Sequence, residues 1–312
     1  MIMKKAFSLI EVIFVLIILG IVASISSQII VQVYEGYIVQ NALYKSTTKT
    51  ELVANQIVNR LTYAIDGTTI AKDIKNIGVI EGTHWIKLEN IPATENNFTT
   101  VEWIGADYDS FSVGRTPSWS GVANYETATI NSFVTPASKL NRANTIISNL
   151  SNGEVDLNGV AGQRPAVIFI QKAKEYRTGK KYSPQCMGLI DTNTSCIFPV
   201  ARNSDNNFSF SGGVPLGTLI TERYKLAWSA YALVPEDLDG DGLFNLFLYY
   251  NYQPWEGELY TSVTSNRKLL MKNVSVFKFT ENGGVIQLKL CASENIGQTF
   301  NISSCKEKAI IR

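Results

Sequence analysis

The hydrophobic and polar positions divide this chain into two parts. Between residues 7 and 34 most positions are apolar, and Glu11 is the only charged residue between Lys5 and Glu35. A stretch of about 20 apolar residues is long enough to span a bilayer as a helix. The pattern therefore predicts a membrane-spanning helix that carries one carboxylate. Such a group costs on the order of 3 kcal/mol in hydrocarbon, so it is expected to have a positive partner.

From residue 35 the same helix is predicted to continue to about Asp66 with an amphipathic pattern. Its apolar positions recur mostly at spacings of three and four residues: Val39, Leu43, Leu52, Val53, Ile57, Leu61 and Ile65. At 1.5 Å per residue, about 60 residues reach about 90 Å. One end of this helix can therefore lie in a membrane while the other end packs into a folded head.

The pattern beyond residue 67 is typical of a β-rich globular head. Alternating or aromatic runs predict strands at 84–91, 99–103, 110–113, 166–171, 224–234, 243–252, 269–280 and 285–291, with a short helix within 136–150 and a loop region over 172–216. The predicted fold class is α+β. A long N-terminal α-helix, transmembrane in its first half, packs on a large antiparallel β-rich head at 67–312, with a C-terminal antiparallel sheet over about 218–291.

The N-terminal residues resemble a known family. Residues 4–23 read KKAFSLIEVIFVLIILGIVA, which is similar to the leader and first mature residues of type IV prepilins and type II secretion pseudopilins. Such precursors have a short basic leader, a cut just before a Phe and a Glu at the fifth mature position. The resemblance implies a leader at 1–6, a cut between Ala6 and Phe7, and Glu11 as the fifth mature residue. The family usually has Gly before the cut, where this chain has Ala6.

This resemblance also implies how the chain is processed and assembled. Prepilin peptidase would expose and methylate the amino group of Phe7, and Glu11 would pair with the charged amino group of a neighbouring subunit. The partners implied are other pilins or pseudopilins through the helix at 7–34, the inner membrane and its assembly platform. Residues 35–66 would continue that helix into the head. The implied location is the inner membrane in a single pass, with the head in the periplasm or on the cell surface in a fibre.

Two other interpretations of the N-terminus are an ordinary secretory signal peptide and a plain single-span anchor. Neither accounts for Glu11. A further pattern-level resemblance comes from the runs RYKLAWSAYALV, LFLYYNY, GELYTS and KLLMKNVSVFKF within 223–279, which are similar to the carboxyl half of J-type minor pseudopilins and minor pilins. The expected function is that of a minor pilin or pseudopilin in a type IV pilus or a type II secretion pseudopilus. The alternative is a tip-displayed adhesin or DNA-uptake module.

The chain has four cysteines, all in its C-terminal part: Cys186, Cys196, Cys291 and Cys305. An exported protein meets an oxidising compartment, so disulfides are expected. Four cysteines allow three connectivities, of which the local pairs 186–196 and 291–305 are the simplest. A metal site is the alternative, although the sequence has no CxxC pair.

Residues 237–245 read DLDGDGLFN, which matches the first half of an acidic calcium loop. The carboxylates of Asp237, Asp239 and Asp241 alternate so that they can converge on one Ca²⁺ ion, and Asn245 can supply a further oxygen. The twelfth position of the loop is Leu248, where an EF-hand has a bidentate Glu. The alternative is a polar hairpin loop, because Asp-Gly pairs also mark turns.

Charge and motif content exclude several other classes of function. The net charge is +1 and there is no long Lys/Arg run, so no nucleic-acid partner is expected. No hydrolase, nucleotide-binding or zinc-protease motif occurs, so no enzymatic activity is expected, and the single histidine, His84, is interpreted as structural. The five tryptophans are expected to pack in the core.

Overall fold

A computed structural model describes residues 8–92, 97–112, 114–170, 184–237, 240, 242–296 and 300–311. The chain is α+β. A single long helix packs on one face of an eight-stranded antiparallel sheet, and a five-stranded sheet packs on part of the other face. The predicted fold class, a long N-terminal helix on a large antiparallel β-rich head, is confirmed.

The described residues form three α-helices and thirteen β-strands. In order they are α1 (Leu9–Leu61), β1 (Ile70–Lys72), β2 (Trp85–Lys87), β3 (Thr100–Gly105), α2 (Tyr108–Phe111), β4 (Ser132–Val134), α3 (Leu140–Leu150), β5 (Ala166–Phe169), β6 (Phe198–Ser204), β7 (Asn207–Phe210), β8 (Tyr224–Ala227), β9 (Ser229–Glu236), β10 (Phe244–Tyr252), β11 (Asn266–Asn282), β12 (Val285–Ile296) and β13 (Phe300–Ile311).

The larger sheet has the strand order β13-β12-β11-β10-β9-β3-β1-β2, and every neighbouring pair in it is antiparallel. Its strands β3 and β9 are direct neighbours, with Gly105 opposite Ser229. The residues between them, 106–228, are therefore an insertion into this sheet, and they form the smaller sheet β4-β7-β6-β5-β8. Bridges from Val122 to Arg223 and from Asn124 to Val134 draw residues 122–124 between the two edges of the smaller sheet.

Three apolar cores hold these layers together. The first lies between α1 and one face of the larger sheet and includes Trp103. The second lies inside the inserted sheet and is rich in aromatic rings, with Phe133 contacting several others. The third lies between the two sheets and includes Trp85 and Trp255. All five tryptophans are buried, as the sequence analysis expected.

Some elements differ from the sequence prediction. Helix α1 ends at Leu61 rather than near Asp66, because the Ile65 N–H donates to the Ile104 carbonyl and joins the chain to β3 (2.9 Å). Residues 110–113 were predicted as a strand. Residues 108–111 instead form the single helical turn α2, because the Asp107 side chain accepts a hydrogen bond from the Ser110 N–H.

That Asp107 carboxylate is itself a testable feature of the junction between the sheets. Burial raises its pKa from the ordinary 3.8 to about 6, against the lowering effect of the hydrogen bonds from Ser110. A carboxyl with a raised folded pKa binds protons more tightly in the native state than in the unfolded state. Its contribution to stability therefore increases as the pH falls from about 6 to about 4, and it is unfavourable at neutral pH.

Replacing Asp107 with Asn is therefore expected to raise stability at pH 7.5 relative to wild type by up to about 2–3 kcal/mol, the equivalent of two pKa units. At pH 4 the gain should disappear. Thermal unfolding of both proteins in detergent micelles at the two pH values measures the difference in stability between the variant and wild type. Other titrating groups contribute equally to both proteins, so their effects cancel in this difference. A difference that does not depend on pH would show that the carboxylate does not titrate in this range.

Candidate functional site: the N-terminal helix

The first half of α1 is an apolar rod without contacts to the head. From Leu9 to Ile38 every side chain of the helix is exposed, although the residues are mostly Leu, Ile, Val and Phe. An apolar surface of this extent is characteristic of a membrane or a protein interface rather than water. By length and hydropathy, α1 is able to cross a membrane.

Glu11 lies in the first turn of this helix. Ser8 is the N-cap residue, and its Oγ accepts a hydrogen bond from the Glu11 N–H (3.3 Å). A carboxylate in the first turn is favoured by the helix dipole. The predicted cleavage and methylation residues, Ala6 and Phe7, lie outside the described residues.

The second half of α1 attaches the rod to the head. Its buried face consists of Ser46, Thr50, Val53, Ala54, Ile57 and Leu61. Small side chains at the first of these positions allow close approach of the helix to the sheet. The predicted apolar residues Leu43 and Leu52 are exposed instead, because the face at Ser46 and Thr50 turns towards β12 and β13.

Polar contacts fix the direction of α1 along the sheet. Thr47 lies against Ser304, with 3.3 Å between the two hydroxyl oxygens. One turn further on, Glu51 pairs with both Lys306 (3.4 Å) and Lys308. In these contacts the residue numbers of α1 and of β13 increase in the same direction, so the two elements run parallel. The exposed first half of α1 therefore projects beyond the Phe300 end of β13.

No family model, curated protein or solved structure matches this chain.

Both local disulfides form, as the simplest connectivity predicts. Cys186 joins Cys196 and closes a loop beneath the larger sheet, and Cys291 joins Cys305 directly across β12 and β13. The second bond ties the last strand to the sheet against which α1 packs.

The predicted calcium loop connects β9 to β10 as a hairpin. Asp237 accepts a hydrogen bond from the Gly240 N–H (2.7 Å), and Asn245 lies in β10 opposite Glu236. Asp239 and Asp241 lie outside the described residues. In the described part of the chain no group of three or more His, Cys, Asp or Glu side chains is arranged to hold a metal. Calcium binding stays a prediction.

A buried ion pair between the layers was not foreseen from the sequence. Glu102 on β3 is fully buried and pairs with Lys72 on β1. The Tyr252 hydroxyl donates to Glu102 Oε1 (2.9 Å), and Lys72 Nζ donates to the Leu189 carbonyl (2.6 Å). Burial and the nearby Glu102 carboxylate raise the pKa of Tyr252, which keeps this hydroxyl protonated as a donor. The group fastens the 186–196 loop to the sheet.

The remaining candidate residue, His84, takes part in a local turn. Its Nδ1 accepts a hydrogen bond from the Ile80 N–H (3.0 Å), and the adjacent Trp85 Nε1–H donates to the Val79 carbonyl (3.0 Å). These bonds hold the turn that leads into β2, so His84 has the structural role that was predicted from the sequence.

Proposed function

We propose that this chain is a membrane-anchored subunit of a type IV pilus or type II secretion pseudopilus, a minor pilin or pseudopilin that assembles through α1. One observation carries the proposal: a single 53-residue helix is bare and apolar in its first half and packed onto a β-rich head in its second. Such a helix can be stored in a bilayer and then packed against the same helices of neighbouring subunits.

Glu11 supports an assembly role over simple anchoring. It is the one charged residue between Lys5 and Glu35. The helix dipole offsets about 0.3–1 kcal/mol of the roughly 3 kcal/mol that a carboxylate costs in hydrocarbon, so the charge is a net cost to a simple anchor. In the proposed fibre, prepilin peptidase cuts before Phe7, and Glu11 pairs with the methylated amino group of a neighbour. Because each charge is costly without the other in an apolar setting, the pair fixes the axial register of adjacent subunits.

The head is consistent with an exported location in this proposal. Two disulfides form in it, and such bonds persist in oxidising compartments. The inner membrane would hold the precursor, with the head in the periplasm before assembly.

Cell fractionation tests the proposal. Fibres are sheared from cells that carry the complete assembly system, pelleted, and probed for this chain by quantitative mass spectrometry. We expect the chain in the fibre pellet at low copy number relative to the main subunit, and only in the membrane fraction when the assembly platform is deleted. Recovery that is confined to membranes in both strains would contradict a role in the fibre.

A further inference from the structure

The last strand of the larger sheet has an open edge. All twelve residues of β13 pair with β12 on one side, and β13 stands at the end of the strand order. Among the described residues, no hydrogen bond to the main chain of β13 comes from outside that ladder. A long unpaired edge is a template for an added strand, and proteins usually blunt it.

The Cα–Cα distance at the disulfide shows which main-chain groups face outward. Cys291 and Cys305 lie directly opposite each other at 4.0 Å. In antiparallel sheets this close spacing marks a non-hydrogen-bonded pair, whereas bonded pairs lie about 5.5 Å apart. The N–H and C=O of Cys305 therefore point away from β12. The ladder has no register shift, so the same holds for every second residue: Asn301, Ser303, Glu307 and Ala309.

The charges that usually guard an edge are engaged elsewhere. Lys306 and Lys308 both reach back to Glu51 on α1, and Glu307 pairs with Lys289 on β12 (2.8 Å). Two ammonium groups thus share one carboxylate. The side of the edge that faces α1 keeps a positive excess, which favours a partner strand with an acidic side chain in that row.

A symmetric pairing with a second copy does not fit this edge. If two β13 strands paired antiparallel, their α1 helices would point in opposite directions and could not enter one membrane together, an argument that rests on the proposed function. If they paired in parallel about a two-fold axis, each residue would lie opposite the same residue of the other copy. In a parallel ladder a residue bonds to the two residues that flank the one opposite it. For an odd-numbered residue these would be even-numbered residues, whose N–H and C=O groups point towards β12 and are not available.

The other edge of the sheet does not serve as a partner either. Strand β2 is three residues long, and the Trp85 carbonyl already accepts a hydrogen bond from the Gly82 N–H (2.8 Å). A head-to-tail join of two copies through β13 and β2 would therefore gain few hydrogen bonds.

We propose that β13 is a docking edge at which a different protein adds one extended strand, with an acidic side chain facing Lys306 and Lys308. Main-chain hydrogen bonds supply the affinity and the side chains of Lys306 and Lys308 supply the specificity. This is the division of roles in other cases of strand addition. In the fibre this edge would bind a strand of a distinct subunit beside α1.

Strand peptides test this edge on the full chain in detergent micelles. The probe is a short, blocked, fluorescent peptide of alternating valine and glutamate, and its counterpart has lysine for glutamate. We expect the glutamate peptide to bind more tightly than the lysine peptide. Ser303→Pro and Ala309→Pro each remove one outward N–H and should weaken binding about tenfold. The matched controls Ser303→Ala and Ala309→Ser keep the N–H and should bind like wild type.

Hydrogen exchange on the wild-type chain gives a readout that needs no variant. The amides of Ser303, Cys305, Glu307 and Ala309 should exchange faster than those of their even-numbered neighbours, and they should gain protection when the glutamate peptide is added. Wild-type affinity in both proline variants, or no gain in protection, would overturn the inference. So would a dimer in light scattering that Ser303→Pro abolishes, because the occupant would then be a second copy.

The two proposals can fail separately. A chain that is absent from sheared fibres but binds the peptide through these amides contradicts the fibre role alone. A chain that is present in fibres but whose peptide binding ignores the proline substitutions contradicts the docking edge alone.

Discussion

Glu11→Val is expected to leave the chain in the membrane but to lower its recovery in sheared fibres by at least about tenfold. Valine is cheaper than glutamate in hydrocarbon, so membrane insertion should not suffer. In the fibre, the substitution would leave the amino group of a neighbouring subunit without its partner. Removing one member of a buried pair costs about 3–5 kcal/mol, and each 1.4 kcal/mol is a factor of about ten in an equilibrium.

The measurement is the ratio of this chain in the fibre pellet to that in the membrane fraction, by quantitative immunoblot. Glu35→Gln is the matched control, because Glu35 is the next acid on the same exposed helix but lies past the apolar stretch. Its ratio should equal that of wild type. If Glu11→Val and Glu35→Gln gave the same ratio, Glu11 would have no special part in assembly.

Glu102→Ala is expected to destabilise the head by about 3–5 kcal/mol, the usual cost of leaving one member of a buried ion pair alone. The change leaves the ammonium group of Lys72 and the hydroxyl of Tyr252 without their shared acceptor. It should also loosen the 186–196 loop, because Lys72 donates to Leu189 within that loop. Urea unfolding of the full chain in micelles measures the loss.

A double variant separates the lost pair from lost packing. Lys72→Met with Glu102→Leu replaces the ions with apolar groups of similar size, and such swaps are often neutral or stabilising. We expect this variant to recover the part of the loss that comes from the unpaired ammonium group and the lost packing. The Tyr252 hydroxyl and the Leu189 carbonyl still lose their partners in it, which should leave a residual cost of about 1–3 kcal/mol. A loss below about 1 kcal/mol in Glu102→Ala would mean that water or another acceptor satisfies the Lys72 ammonium group and the Tyr252 hydroxyl.

The sequence predicts the long helix and the β-rich head because both depend on local periodicity. Local periodicity does not predict which residues are buried where tertiary packing determines their burial. Ser46 and Thr50 are polar, so hydropathy does not place them on the buried face, although they extend the three- and four-residue spacing of Val53, Ile57 and Leu61. That spacing was the available signal.

Glu102 was missed for a different reason. Glu102 lies between the apolar residues Val101 and Trp103, and this alternation is the pattern of a strand with one solvent-exposed face. That face is covered here by the inserted residues 106–228. The local sequence pattern around Glu102 does not predict this burial, because the covering residues are distant in the chain. Strand β13 was missed because its middle carries three charges in a row, at residues 306–308, and a charge run of this kind is typical of a surface loop.

We propose that Glu11 is matched by an amino group that processing creates at Phe7, and mass spectrometry of the mature N-terminus tests this pairing. In cells with prepilin peptidase, we expect a first residue Phe7 with a methylated amine, and in cells without the enzyme an unprocessed start. A mature chain that keeps the leader, or begins well downstream near Ser26, would contradict it.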